Sequence, residues 1–127
     1  MARHNELGKL GEQVAARYLY QHGYRILDVG YKVGHRDIDI VAFKDGTTVF
    51  VEVKTRRSDQ YGLPEEAVDD RKIRNLIIAG NAYMRGKWVN GPVRFDVISV
   101  IGTEEPFKIT HFEEAFNPLS LSYFRHY

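Results

Sequence analysis

At 127 residues, 43% of them hydrophobic and 28% charged, the chain has the size and balance of one globular domain, which excludes disordered and fibrous classes. It has no cysteine, so disulfides, zinc-thiolate sites, iron–sulfur clusters and a thiol nucleophile are all removed. The formal net charge of +1 gives no global pull toward nucleic acid or membrane, and any electrostatic footprint must be local.

The opening MARHNELGKL is polar and lacks the apolar core of a secretory signal, and no run reaches membrane-spanning length, so a cytoplasmic location is expected. The five histidines, at 4, 22, 35, 111 and 126, have no ligand-like spacing and read as surface or structural residues. Asn5 can cap a first helix running to about His22, with Leu7, Leu10, Val14 and Tyr18 along one stripe and Gly23 as the stop. Gly8 and Gly11 lower helix propensity and point to close packing on the side where Glu12 projects.

Tyr24 to Asp28 reads as a short strand, followed by a glycine-bearing loop, VGYKVGHR. A strand at about 37 to 43, the turn KDGT and a strand from 48 to 54 form a hairpin. After a loop over Ser58 to Gly62, Pro64 opens a second helix that continues to Met84 or Arg85 and stops at Gly86. Val93 to Val100 is a further strand, and Phe107 to Phe112 another before an irregular tail over about 118–127. No repeat or linker interrupts the chain, so residues 1–127 are expected to form one α/β domain, a mixed β-sheet flanked by helices.

The hairpin carries Asp39, Glu52 and Lys54 inside apolar runs, where unpaired charge is costly. A two-residue Asp45-Gly46 turn pairs Lys44 with Thr47 and sets Asp39 opposite Glu52, Asp37 opposite Lys54 and Val41 opposite Phe50. Alternation then places Asp37, Asp39, Glu52 and Lys54 on one face and Ile38, Ile40, Val49, Val51 and Val53 on the other. Opposed carboxylates repel by roughly 0.2–1 kcal/mol, and a bound cation reverses that sign. Oxygen donors without nearby His or Cys suit Mg²⁺ or Mn²⁺, and Lys54 is placed to orient a water or meet charge on a phosphate. The same residues are also compatible with a solvated network in which Lys54 pairs with Asp37 and Glu52.

Glu12 on a helix, Asp39 after a loop and Glu52-Val53-Lys54 on the next strand resemble the PD-(D/E)XK nuclease superfamily, whose restriction-endonuclease-like core runs helix, three strands, helix, strand. More closely, LGKLGEQVAARYLYQHGYRIL, RDIDIVAFKDGTTVFVEVKTR and RFDVISV look like the YraN-like family of uncharacterised bacterial proteins, over nearly the whole chain to about residue 117. The resemblance implies Asp39 and Glu52 as metal ligands together with the Val53 carbonyl, Lys54 as the catalytic lysine, and Glu12 as a helix carboxylate holding the metal or its water from the opposite side. It implies hydrolysis of phosphodiester bonds, usually in DNA, and its likeness to Holliday junction resolvases implies branched or structured substrates and a two-fold homodimer. One departure is Arg36-Asp37, where the family usually has Gly-Glu, and the superfamily's proline is absent.

Beside such a site, Arg56, Arg57 and Lys72 are candidates for nucleic-acid phosphate contact, and Lys72 matches a lysine common in the family. Arg71, Lys72 and Arg74 are equally placed for helix pairing with Glu66, Asp69 and Asp70. Arg94 and Asp96 share a strand face and are expected to pair, while Tyr18, Phe43, Phe50 and Phe95 fall at core-like positions. The rival from another class is a nucleic-acid-binding or partner-binding protein that keeps the fold with little or no turnover.

Overall fold

The computed structural model describes residues 2–58 and 70–115. Helix α1 (Ala2–Gln21) is followed by strands β1 (Arg25–Val33), β2 (Arg36–Lys44) and β3 (Thr47–Arg56), helix α2 (Asp70–Gly86), and strands β4 (Val93–Ile101) and β5 (Lys108–Phe112). The strands form one sheet in the order β1-β2-β3-β4-β5. β3 and β4 are parallel and every other neighbouring pair is antiparallel. A parallel neighbour needs a crossover, and α2 lies in it. This mixed sheet with two helices is the expected restriction-endonuclease-like core.

One helix covers each face. Val14, Ala15 and Leu19 of α1 pack with Ile40, Val49, Val51, Ile98 and Val100. Ile73, Leu76, Ile77 and Tyr83 of α2 pack with Ile38, Val41, Phe50 and Phe95. Residues 49, 50 and 51 of β3 thus alternate between the two cores, as the period of a strand requires. Burying each Val, Leu, Ile or Phe side chain among them stabilises the fold by about 1.5–3 kcal/mol relative to exposure.

Several local expectations need correction. α1 begins at Ala2, so Asn5 lies within the helix rather than capping it. It does stop where expected, at Gly23 in the left-handed region with φ 88°. β1 runs on through Val29–Val33, because β2 supplies backbone partners as far as Val33↔Arg36 and overrides the local turn signal of the glycines. The expected helix start at Pro64 and the loop from Asp59 to Gly62 lie outside the described residues.

Ile38 was expected on the face of Ile40, but it packs with Val41 and Phe50 on the α2 side while Ile40 faces α1. The alternation breaks at Asp39, where the ladder between β2 and β3 has ended. Beyond that point β2 pairs with β1 alone, and a two-stranded ribbon twists more strongly than a sheet.

Candidate active site

The turn forms as its residues require, with Asp45 at φ 51° and Gly46 at φ 81°. It fixes the pairing Lys44↔Thr47 through Val41↔Phe50 to Ile40↔Val51, the expected register. The ladder stops there, one step short of Asp39 and Glu52, and the strands separate. In place of a backbone partner, the Val53 N–H donates to Asp39 Oδ2 at 2.8 Å.

That separation makes room for a cluster of acidic groups. Asp39 is half-buried, and its carboxyl is pushed up to about 8, first by burial and then by the negative charge of Glu52. The Val53 N–H works in the opposite direction, favouring the ionised form, and is outweighed. Glu12, reaching in from α1, is also raised, first by burial and then by the charges of Asp37 and Glu52. Helix and hairpin therefore bring Glu12, Asp37, Asp39 and Glu52 within electrostatic reach of one another.

Gly11 explains how α1 comes so close. A Cβ built on it would lie 2.0 Å from Thr55 Oγ1, a contact no side chain could tolerate without movement. The close approach expected from the glycines is thus real at Gly11, whereas at Gly8 a Cβ would meet nothing within 4 Å.

Lys54 Nζ pairs with Glu52 Oε2 at 3.2 Å, and both side chains are largely buried, 12% and 19% exposed respectively. The expected opposition of Asp37 and Lys54 does not form: Asp37 stands across from Lys32 of β1 and pairs with it at 3.5 Å. The early end of the β2–β3 ladder is the cause. Next to Lys54, a groove of about 530 Å³ runs between α1 and the end of β3, lined by Leu7, Gly8, Val53, Lys54, Arg56 and Arg57. Lys72 is exposed on α2, apart from that groove, as are Arg71 and Arg74.

Among the described residues, no three His, Asp or Glu side chains are spaced as a ready metal cage. The donors present fit a smaller demand. Mg²⁺ keeps several waters and binds through one or two carboxylates, and a half-buried carboxyl without a cationic partner among the described residues, as Asp39 is, gains from such a charge. Asp39, Glu52 and the Val53 carbonyl are the groups suited to hold it, with Glu12 on the α1 side.

The chain matches the family model described as "Uncharacterised protein family UPF0102" over residues 11–100. It belongs to the UPF0102 family. This is the YraN-like family that the sequence resembles. Among its UPF0102 relatives, a protein of Bacteroides thetaiotaomicron is 50% identical over 93% of this chain and 98% of its own length. One from Phocaeicola vulgatus is 48% identical over the same shares. One from Syntrophomonas wolfei is 45% identical over 87% of this chain and 97% of its own length. UPF0102 matching thus covers Glu12, Asp39, Glu52 and Lys54.

Two polar networks lie away from this site. Buried Asp96 accepts two hydrogen bonds from Arg94 at 2.9 Å, one from the Glu114 N–H at 3.1 Å, and lies 2.6 Å from His111 Nε2. Burial alone would raise its carboxyl, but the bonds from His111, Arg94 and Glu114 outweigh that and hold it below the usual range. The pairing with Arg94 was expected from their spacing, and the role of His111 was not, since strand order alone brings β5 beside β4. Tyr83 also donates its hydroxyl to Asp28 at 2.9 Å, a link hidden by reading Asp28 as the end of its strand. No described helix is long and apolar enough to cross a membrane.

Proposed function

We propose that this UPF0102 protein is a Mg²⁺- or Mn²⁺-dependent nuclease that hydrolyses phosphodiester bonds in DNA, with branched or otherwise structured DNA as its substrate. The observation that carries this reading is Asp39: a half-buried carboxyl, raised to about 8 by burial and Glu52, fixed by a backbone N–H and provided with no cation of its own among the described residues. A carboxylate so placed is costly as structure and useful as a ligand.

When bound, the ion supplies Lewis acidity to a phosphate oxygen and lowers the pKa of a water. The Val53 N–H keeps Asp39 in one orientation, while the charge of Glu12 acts on it from α1. Lys54 places an ammonium beside Glu52, where it can donate to a non-bridging phosphate oxygen and stabilise charge that develops there. Water oxygen adds to phosphorus and gives up a proton to solvent as the bond to the 3′ oxygen breaks, and that oxygen takes up a proton from solvent, leaving a 5′-phosphate and a 3′-hydroxyl. Arg56 and Arg57 flank the groove that leads away from Lys54 and suit backbone phosphates, and Lys72 offers a further contact from α2.

The Lys54–Glu52 ion pair favours a second reading, a nucleic-acid- or partner-binding protein with the same fold and little turnover, because it neutralises the Glu52 carboxylate without any metal. The two readings separate in a cleavage assay on junction, flap, single-strand and duplex DNA with Mg²⁺ or Mn²⁺. Cutting by the parent that is lost in both Asp39→Ala and Lys54→Ala supports the nuclease. Binding without cutting supports the alternative, and cutting that persists in both variants refutes the site.

A further inference from the structure

We propose that Arg36, held in place by Asn75, forms a phosphate-binding subsite for the nucleic-acid strand next to the carboxylate site, an inference that rests on the nuclease reading. Arg36 opens β2 and alternates onto the same face as Ile38, which packs against α2. Its Nε donates to Asn75 Oδ1 on that helix at 3.1 Å. A guanidinium carries five N–H donors, and this neutral oxygen takes one.

Arg36 has no ion pair among the described residues, although Asp37 is its chain neighbour. Asp37 pairs with Lys32, and Glu52 pairs with Lys54. A half-buried cation whose only partner among the described residues is neutral has lost hydration without gaining counter-charge from them, and an anion restores the balance. Phosphate fits that need best, because the planar fork meets two of its oxygens at once.

Placement identifies whose phosphate it is. Arg36 lies three residues from Asp39, about 10 Å along an extended strand. By the alternation of β3, Glu52 and Lys54 fall on the side of Phe50, the α2 side that Arg36 faces. Lys54 also borders the groove beside α1, so it stands at the end of the sheet where the two sides meet. A strand whose reacting phosphate sits at Lys54 therefore presents a neighbouring phosphate to Arg36. The bond from Asn75 fixes the fork beforehand, so that less side-chain freedom is lost on binding.

The test is fluorescence anisotropy of labelled single-strand and duplex DNA in Mg²⁺ over a salt series, with Lys54→Ala in every chain so that bound DNA stays uncut. Arg36→Gln is expected to weaken binding roughly tenfold and to lower the slope of log K against log salt by about 0.7 on single strands and 0.9 on duplex, the value of one phosphate contact. Asn75→Ala is expected to weaken binding with the slope unchanged, since the charge remains and only its orientation is lost. Arg36→Lys likewise keeps the slope and loses affinity, and reads out the fork if Arg36→Gln does not fold. Unchanged affinity and slope in Arg36→Gln, or in Arg36→Lys unchanged affinity, overturn the subsite while leaving the nuclease reading intact. A parent chain, with Lys54 intact, that binds none of the DNAs in Ca²⁺ overturns both.

Discussion

Asp39 Oδ2 accepts the Val53 N–H at 2.8 Å, where two antiparallel strands have just stopped pairing. This single bond ties the carboxylate of one strand to the backbone between Glu52 and Lys54 of the next. It also leaves Asp39 facing the charges of Glu52 and Glu12 in a half-buried setting, and that has a consequence for stability.

Without metal, stability is expected to fall as pH rises. Asp39 titrates near 8 in the folded chain and near its ordinary value of 3.8 when unfolded, so between about 4 and 8 the folded state binds the extra proton. Stability falls with pH wherever the folded state binds more protons. The raised Glu12 adds to the same trend, while lowered Asp96 acts only in more acid solution. Melting in EDTA at pH 5.5 and 8.5 should show the parent less stable at the higher pH and Asp39→Asn much less sensitive. Equal slopes in the two chains would remove Asp39 as the cause.

Gly11 should resist even the smallest enlargement. The Cβ of Gly11→Ala meets Thr55 Oγ1 at 2.0 Å and Thr55 Cβ at 3.0 Å, so Thr55 or α1 must shift, at about 1–3 kcal/mol. Adding Thr55→Gly should recover much of the lost melting temperature, because the two sites share one contact. Strictly additive losses would show that the helix does not depend on this approach. Gly8→Ala, with open space around it, should be neutral or slightly stabilising.

Asp96 should behave as a structural charge. Asp96→Ala leaves Arg94 without its bidentate partner and the Glu114 N–H without an acceptor, a loss of about 3–5 kcal/mol by the usual cost of breaking a buried pair. The midpoint of urea unfolding should drop accordingly, with DNA affinity per folded molecule unchanged. Loss of affinity at full stability would instead place Asp96 in the binding surface.

Much of this arrangement was legible in the residues. The Asp45-Gly46 dipeptide can adopt two positive φ angles, so the register of Ile40 through Thr47 followed from turn chemistry alone. The charges within apolar strands marked Asp39, Glu52 and Lys54, and Gly11 signalled a close approach. The end of the ladder was not legible, because it depends on β2 leaving β3 to follow β1, a tertiary event. For that reason Asp37 meets Lys32 rather than Lys54, and Ile38 turns to the α2 side. The Arg36–Asn75 bond was hidden for a similar reason, since it joins a strand end to a helix 39 positions away.

The central claim, that Asp39 and Glu52 hold a divalent ion, is tested most directly by melting the parent and Asp39→Asn across a titration of Mg²⁺ or Mn²⁺. A ligand at a hundred times its Kd adds about 2.7 kcal/mol, which for a domain of this size is on the order of 10 °C. The parent should rise by that amount and saturate, and Asp39→Asn should stay flat. A parent that does not move, or a variant that rises equally, would contradict the account.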